Sequence, residues 1–260
     1  MKAVRIHEHG GIDVLKLDEV DQPICTHDKI KVKIKATSLN HLDLWVRQGL
    51  PGIDIPLPLI MGSDAAGEIV EIGKDTNYFK VGDKVVIQPG TFDSSCQMVL
   101  KGKENFSTTY GIIGETENGV QAEYIVLSEK NLSKMSEHLS FTEAASMQLV
   151  FMTSYQMLVT RGKLTKNEFI LIYGATSGIG SSSIQIAKDI GAKIITTVGN
   201  DEKIDYAYKM GADYVLNHKN DLVSDINKIT NQSGVDIICE HIGEKTWETS
   251  MKLLDKGGRI

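Results

Sequence analysis

The chain has 260 residues, a formal net charge of −6 and three cysteines, Cys25, Cys96 and Cys239. This length favours two domains over a single core. The negative charge argues against nucleic acid or an anionic membrane surface as the main partner. Three cysteines so far apart predict no disulfide framework and favour the reducing cytoplasm. The opening MKAVRI alternates like a strand, and no apolar run is long enough to span a bilayer, so we expect neither a signal peptide nor a membrane anchor.

The first half of the chain has the pattern of a β-rich domain. The run KIKVKIKATS places Ile30, Val32, Ile34 and Ala36 on one face and lysines on the other, as a strand with one face on a core does. SDAAGEIVEIG and FKVGDKVVIQPG predict further short strands, separated by turns rich in Gly, Asp and Lys. Many short strands with such turns favour a barrel-like or irregular all-β domain.

The second half alternates between strand and helix. Ser140 and Glu143 fit a capping box, and the apolar run to Val159 predicts one helix. EFILIYGATSGIGSSSIQIAKDIGAKIITTV then predicts a strand, a glycine turn, a helix and a strand. Gly191 and Gly211 stand where helices are expected to end. DYVLN, VDIICEH and the terminal GGRI predict three more strands, so we expect a doubly wound parallel sheet.

The glycine turn is the main candidate for ligand binding. Small residues between a buried strand and a helix let the backbone approach a diphosphate, and the helix N-terminus supplies N–H groups. Only the last glycine of the strict G-x-G-x-x-G pattern is present. The prediction of a dinucleotide site therefore depends on the position of the turn between a buried strand and a helix. The alternative is a tight turn that binds nothing. The candidate cofactor-binding residues here are Gly174, Ala175, Thr176, Ser177, Gly178, Ile179 and Gly180.

The end of the second parallel strand bears on the choice of cofactor. Sites that prefer NAD usually carry an acid there for the ribose hydroxyls. Val198 stands at about that position, followed by Gly199 and Asn200, with Lys203 close behind. A neutral strand end, an open glycine and a lysine suit a 2′-phosphate, so we favour NADPH. Asp201 is interpreted as a helix N-cap and not as a ribose ligand.

Together these motifs resemble the medium-chain dehydrogenase/reductase superfamily, in its alcohol dehydrogenase and quinone oxidoreductase branches. The matching segments cover nearly the whole chain, and they include SLNHLDLWVRQG, PLIMGSDAAGEIVEIG, GVQAEYIVL and YGATSGIG. The resemblance implies an α/β protein with a GroES-like catalytic domain at residues 1–130 and a Rossmann dinucleotide-binding domain at 131–260. It also implies that the active site lies between them.

Zinc-type relatives carry a structural-zinc lobe where this chain has residues 91–118. Their cysteines are spaced C-x2-C-x2-C-x7-C, with a glycine three residues past the third. Anchoring that pattern on Gly102 places the four positions at Asp93, Cys96, Val99 and Ser107. One thiolate remains beside a valine that cannot coordinate, and ligand count decides zinc affinity. We therefore expect the lobe to have lost its zinc.

The resemblance also locates the catalytic-zinc positions of the family. Asn40 replaces a cysteine three residues before Asp43, and Ser63 replaces a histidine before Asp64. His41 is adjacent, but a lone histidine between Asn and Leu is more often structural or a general acid than a ligand. We expect no catalytic zinc.

Loss of zinc limits the chemistry, because a Lewis acid is what makes an alcohol hydroxyl acidic. We therefore expect hydride donation from NADPH to an already polarised small molecule, such as a quinone, an enone or an enoyl thioester. Asn40 is the candidate amide donor to the acceptor oxygen, and Asp43 is expected to hold either Asn40 or the nicotinamide end of the site. Ser63 and Asp64 are expected to line the vacated metal pocket. Thr153 resembles the family threonine that contacts the nicotinamide half. The alternative role of these polar residues is structural hydrogen bonding.

The C-terminal end supplies only five of the six strands of a full dinucleotide domain. Relatives continue past such a GGRI into a sixth strand, which is also the usual edge of their homodimer, so we expect a truncated chain with that edge missing. Two other functions stay open. One is a non-catalytic NADPH-binding protein, such as a redox sensor or a crystallin-type protein, and the other is a zinc alcohol dehydrogenase with a rebuilt site.

Overall fold

The structure, a computed structural model, describes all 260 residues and divides into two compact units, Met1–Leu149 and Val150–Ile260. The first unit is rich in β-structure. Its strands are β1 (Lys2–Ile6), β2 (Leu15–Glu19), β3 (Lys29–Ser38), β4 (Leu59–Ile60), β5 (Asp64–Ile72), β6 (Lys84–Ile87), β7 (Gly90–Thr91), β8 (Gly111–Ile112), β9 (Tyr124–Ser128) and β10 (Leu132–Lys134). Its helices are α1 (His41–Gln48), α2 (Gln97–Leu100) and α3 (Phe141–Ala145).

The centre of the first unit is a five-stranded sheet in the order β10-β6-β5-β3-β9, with all four pairings antiparallel. The alternation predicted for β3 is confirmed up to Ile34, because Ile30 and Val32 are fully buried in the core of this sheet and Ile34 packs against that core. It is wrong for Ala36, because the register with β5 shifts after Ile34 and Ala36 packs in another cluster, with Ala66. On the other face of β3, Lys31 and Lys35 form ion pairs with glutamates of β5. The first part of the strand therefore has one apolar and one charged face, as its period of two requires.

The second unit contains the predicted parallel sheet. Its elements are α4 (Gln148–Tyr155, which begins two residues before the unit does), β11 (Phe169–Ile172), α5 (Gly178–Ile190), β12 (Lys193–Val198), α6 (Ile204–Met210), β13 (Tyr214–Asn217), α7 (Leu222–Ile229), β14 (Val235–Cys239), α8 (Glu244–Leu253) and β15 (Leu254–Arg259). The strand order β13-β12-β11-β14-β15 confirms the doubly wound topology. None of the helices combines the length and the apolar character needed to cross a lipid bilayer.

Strand β11 shows why FILIY is continuously apolar. Ile170 and Ile172 pack on the face that carries α5 and α6, whereas Leu171 and Tyr173 pack on the face that carries α7 and α8. Burying one such side chain contributes about 1.5–3 kcal/mol. Because helices cover both faces, no position of this strand is left for a polar side chain.

Two helix ends confirm the glycine signals. Gly191 follows α5 and Gly211 follows α6, each with left-handed backbone, and each N–H returns to carbonyls of the last turn. The capping box at Ser140 is also confirmed, since its hydroxyl accepts from Glu143 N while the Glu143 carboxylate accepts from Ser140 N.

The single helix predicted from that capping box to Val159 is wrong. Helix α3 ends at Ala145, α4 starts at Gln148, and a π-helical turn follows at Gln156–Arg161. The first interruption has a local cause and a distant one. Ser146 Oγ donates to Glu143 O (2.8 Å) and closes α3, while the carboxylate of Asp64 accepts from Leu149 N (2.9 Å) in the first turn of α4.

The compact units divide at Leu149/Val150, and not at the expected 130/131. The boundary lies later because residues 131–149 pair and pack with the first unit. Strand β10 pairs with β6 in the first unit, and Ala144 and Ala145 of α3 pack against Ala66 of β5 and Val86 of β6. Residues 131–149 therefore belong to the β-rich unit.

Candidate functional site

Three predicted site residues meet in one hydrogen-bonded cluster of the first unit. Asn40 occupies the N-cap position of α1, and its N–H donates to Asp43 Oδ2 (2.6 Å). Its side-chain Nδ2 donates to Asp64 Oδ2 (2.9 Å), on the first residue of β5. Ser38, at the end of β3, also donates to that oxygen, at 3.5 Å. The start of α1 thus ties the ends of β3 and β5 together around two carboxyl groups.

The two carboxyl groups of this cluster are buried, with 6% of Asp43 and none of Asp64 exposed. Burial raises the pKa of Asp43, opposed by hydrogen bonds from the N–H groups of Asn40 and Gly62. Burial also raises the pKa of Asp64, where bonds from Asn40, Leu149 and Ser38 oppose it and the charge of Asp43 adds to it. The environment thus favours the neutral form of each carboxyl more than water does.

Two polar atoms beside this cluster have no partner. Asp43 Oδ1 and Ser63 Oγ are both buried and both lack a hydrogen bond, although Ser63 immediately precedes Asp64. Buried polar atoms without partners are rare in folded proteins and each needs an explanation. A ligand oxygen is one partner that would satisfy the Ser63 hydroxyl. Asp43 and Ser63 therefore each have unused hydrogen-bonding capacity.

The glycine turn of the second unit brings the start of a helix close to the end of a strand. Ser177 is the N-cap of the 13-residue helix α5, and its hydroxyl accepts from Gly180 N (2.9 Å). A Cβ on Gly180 would lie 2.0 Å from Gly174 O, so only glycine allows this approach of helix to turn. The side chains of Thr176 and Ser177 and the backbone of Gly178 are exposed at the mouth of the turn. The turn therefore presents its backbone and a helix N-terminus to a ligand, and it fits a dinucleotide.

The end of β12 has the neutral character expected from the sequence. Val198 is buried, Gly199 is half-buried, and Asn200 and Lys203 are exposed. The interpretation of Asp201 as an N-cap is wrong. Asn200 takes that position before a short 3₁₀ turn, and Asp201 Oδ1 instead accepts from Asn217 Nδ2 (2.8 Å).

His218 also lies in this region, although the sequence did not point to it. A Cβ on Gly199 would lie 3.3 Å from Cε1 of His218, so an imidazole stands directly beside the glycine. His218 comes to this place because β13 runs parallel to β12 with Val198 opposite Asn217. The available signal was that DYVLN ends one residue before a histidine, since parallel neighbours bring their carboxyl ends to one edge of a sheet.

The four lobe positions lie on short loop elements of the first unit. Cys96 is the N-cap residue of α2, and the Ser107 hydroxyl is the main group that lowers the pKa of its thiol. Asp93 is engaged locally, since Ser95 donates to it from both its N–H and its hydroxyl. His41 lies against the ring of Trp45, with 4.8 Å between centroids. The structure contains no group of three or more His, Cys, Asp or Glu side chains able to hold a metal ion.

Comparisons with known proteins agree with this architecture. The model of the alcohol dehydrogenase GroES-like domain matches residues 26–137, and that of the zinc-binding dehydrogenase family matches residues 178–260. Human quinone oxidoreductase is 30% identical over 262 residues, which cover all of this chain and 72% of that protein. The chain belongs to the medium-chain dehydrogenase/reductase superfamily.

Other members of the superfamily show the same relation. The NAD-dependent alcohol dehydrogenase of Sulfolobus acidocaldarius is 32% identical, with all of this chain and 76% of that protein covered. A crystal structure of an NAD-dependent alcohol dehydrogenase has a TM-score of 0.97 at 37% identity and matches all of this chain and 76% of its own. Escherichia coli quinone oxidoreductase in complex with NADPH has a TM-score of 0.83 at 28% identity, covering 99% of this chain and 71% of its own.

This medium-chain dehydrogenase/reductase is thus an oxidoreductase in its general class. Its relatives include both quinone oxidoreductases and alcohol dehydrogenases, so membership alone leaves the acceptor and the cofactor phosphate open. Thr153, the remaining predicted site residue, lies exposed on α4 in the second unit.

Proposed function

We propose that this medium-chain dehydrogenase/reductase transfers hydride from NADPH to a quinone, an enone or an enoyl thioester, without zinc. The observation that carries this proposal is the donor set of the buried cluster. It offers the amide of Asn40 and the unpartnered hydroxyl of Ser63 next to two buried carboxyl groups. These groups can bind and protonate an oxygen, but a Zn²⁺ ion is normally held by thiolates, imidazoles and carboxylates in a four-coordinate set.

The cofactor would lie along the parallel sheet of the second unit. The turn from Gly174 to Gly180 would hold the diphosphate through its backbone and the start of α5. The 2′-phosphate of the adenine ribose would bind to Lys203 and His218. Gly199, which lies beside His218, and the following Asn200 would line the same site. Thr153 would contact the nicotinamide half. When bound, NADPH supplies the hydride.

The acceptor oxygen would be handled by the cluster of the first unit. The Ser63 hydroxyl, which has no partner within the chain, would donate to it. Asn40 would contribute its second amide hydrogen while the first stays on Asp64. Burial raises the pKa of Asp43, so its unpartnered Oδ1 is the natural atom to hold the proton that balances the new charge on the acceptor. In place of a metal ion, these residues would stabilise the negative charge on the acceptor oxygen by hydrogen bonds and by a proton from Asp43.

The test begins with fluorescence titrations of the purified chain with NADPH and with NADH, followed by assays with quinones, enones and enoyl thioesters. We expect NADPH to bind more tightly and at least one acceptor class to be reduced. Lys203→Ala should weaken NADPH but not NADH, while Lys209→Ala, an exposed lysine on the following helix α6, serves as the matched control. Equal weakening of both cofactors by Lys203→Ala would contradict the phosphate role.

The second candidate is an NAD-dependent alcohol dehydrogenase. It is favoured by the TM-score of 0.97 to a solved protein of that name. Tighter binding of NADH together with alcohol oxidation would support this function instead. Binding of NADPH without reduction of any acceptor would indicate a non-catalytic binding protein.

A further inference from the structure

The carboxylate of Glu240 is the centre of a hydrogen-bond network at the end of β14. Its Oε1 accepts from the N–H groups of Ile242 (2.8 Å) and Gly243 (3.1 Å) and from Thr246 Oγ1 (2.9 Å). Its Oε2 accepts from Ser250 Oγ (2.7 Å). Burial alone would raise the pKa of Glu240, but these four bonds hold it below its ordinary value. The side chain is therefore an ionised anchor for the segment between β14 and α8.

The same network reaches the strand that leads into the glycine turn. Tyr173 stands between the end of β11 and Gly174, and its buried hydroxyl is 2.9 Å from Ser250 Oγ. Since the Ser250 proton is donated to Glu240, Tyr173 is the donor to Ser250. The chain of bonds thus joins the carboxyl ends of β11 and β14, which are neighbours in the parallel sheet.

These two strand ends have a special place in the fold. The sheet order β13-β12-β11-β14-β15 reverses its direction of progress between β11 and β14. In doubly wound sheets a dinucleotide lies across the crevice at this reversal, with the adenine ribose at the end of the second strand. The nicotinamide half must then extend over the end of β14, where residues 241–243 form the exposed turn that Glu240 holds.

We propose that Glu240 is a positioning residue for the nicotinamide half of the cofactor, acting through the turn at residues 241–243. The proposal rests on NADPH binding as proposed above. Glu240 fixes the turn by two main-chain bonds and ties it through Ser250 to the residue before the diphosphate-binding turn. The crevice is thereby set before the cofactor arrives, and the ordering cost on binding is small. Glu240 itself need not touch the cofactor.

A purely structural role is separated from this one by using two ligands. NADPH spans the whole crevice, whereas adenosine 2′,5′-bisphosphate carries only the adenine half with its 2′-phosphate. The variant is Glu240→Ala, and the matched control is Glu248→Ala, an exposed glutamate on α8. Both are compared with the unaltered chain by isothermal titration with each ligand and by thermal unfolding. Glu240→Gln keeps an oxygen for the main-chain N–H groups and tests rescue.

We expect Glu240→Ala to weaken NADPH by about tenfold, equal to about 1.4 kcal/mol, while the bisphosphate changes by less than about twofold. Glu240→Gln should restore most of the NADPH affinity, and Glu248→Ala should match the unaltered chain. If Glu240→Ala does not fold, Ser250→Ala carries the same comparison, because it removes the bonds of Ser250 to Glu240 and to Tyr173 and keeps the two main-chain bonds of the turn. Equal weakening of both ligands, or no change in either, would overturn the positioning role. Failure of the unaltered chain to bind NADPH would instead overturn the proposed function, and this inference with it.

Discussion

Replacing Gly180 by alanine should distort the main chain of the candidate cofactor-binding turn. The new Cβ would lie 2.0 Å from Gly174 O and 2.8 Å from Gly174 C. Ordinary nonbonded contact begins near about 3.5 Å, so the helix start and the turn must separate by about 1.5 Å. Both sides of this contact are main chain, and no rotamer change can relieve it. Overpacking of this kind costs about 1–3 kcal/mol, and the better helix propensity of alanine returns at most about 1 kcal/mol.

The assay combines urea denaturation with an NADPH titration. Gly180→Ala should lose about 1–2 kcal/mol of stability and at least about tenfold in NADPH affinity, because the N–H groups at the start of α5 no longer converge on one phosphate. For stability, Gly178→Ala is the matched control on the same helix. Its Cβ would lie 2.7 Å from Cγ1 of Val150, a methyl group that can rotate away. A stability of Gly180→Ala equal to that of Gly178→Ala, or an NADPH affinity equal to that of the unaltered chain, would refute the reasoning.

Four further outcomes are expected at the buried cluster and the lobe. Because the pKa of Asp43 is raised, its stabilising contribution is present at acid pH and is lost as pH rises through the folded-state pKa. The urea midpoint should therefore fall less with rising pH in Asp43→Asn than in the unaltered chain. The same dependence of the midpoint on pH in both proteins would contradict the burial argument. Asn40→Ala leaves Asp64 Oδ2 without its amide donor and should cost about 1–3 kcal/mol in urea denaturation, together with a lower kcat; full activity would exclude Asn40 from catalysis. Ser63→Ala removes an unpartnered hydroxyl, so the urea midpoint should stay the same while KM for the acceptor rises; an unchanged KM would remove Ser63 from the site. Metal analysis by plasma emission should find zinc well below one equivalent, whereas a full equivalent would contradict the proposed zinc-independent function and favour a zinc alcohol dehydrogenase with a rebuilt site.

Local signals in the sequence predicted the fold well where the cause of the structure is local. The alternation of Ile30 and Val32 with lysines specifies a strand with one buried face, and the structure has it. The pair Ser140 and Glu143 specifies a helix start, and the capping box is present. In each case, side chains within a few residues decide the backbone conformation.

The features that the sequence could not supply depend on residues far apart in the chain. The break before α4 is fixed partly by Asp64, which lies 85 positions before Leu149. Likewise, His218 stands beside Gly199 because two parallel strands pair, and no short pattern contains both residues. Hydrophobic periodicity reports which side of an element faces the core, but it does not report which distant carboxylate caps a helix.

The lysine-studded β3 strand also restricts how the first unit can fold. A strand repeats its facing every two residues, so a slip of one residue against β5 or β9 would turn Lys31, Lys33 and Lys35 into the core and expose Ile30 and Val32. Each buried, unpaired ammonium would cost several kcal/mol, far more than any alternative pairing of main-chain groups could recover. The lysines of β3 therefore disfavour shifted registers of the central sheet, because every one-residue shift against a neighbouring strand would bury them.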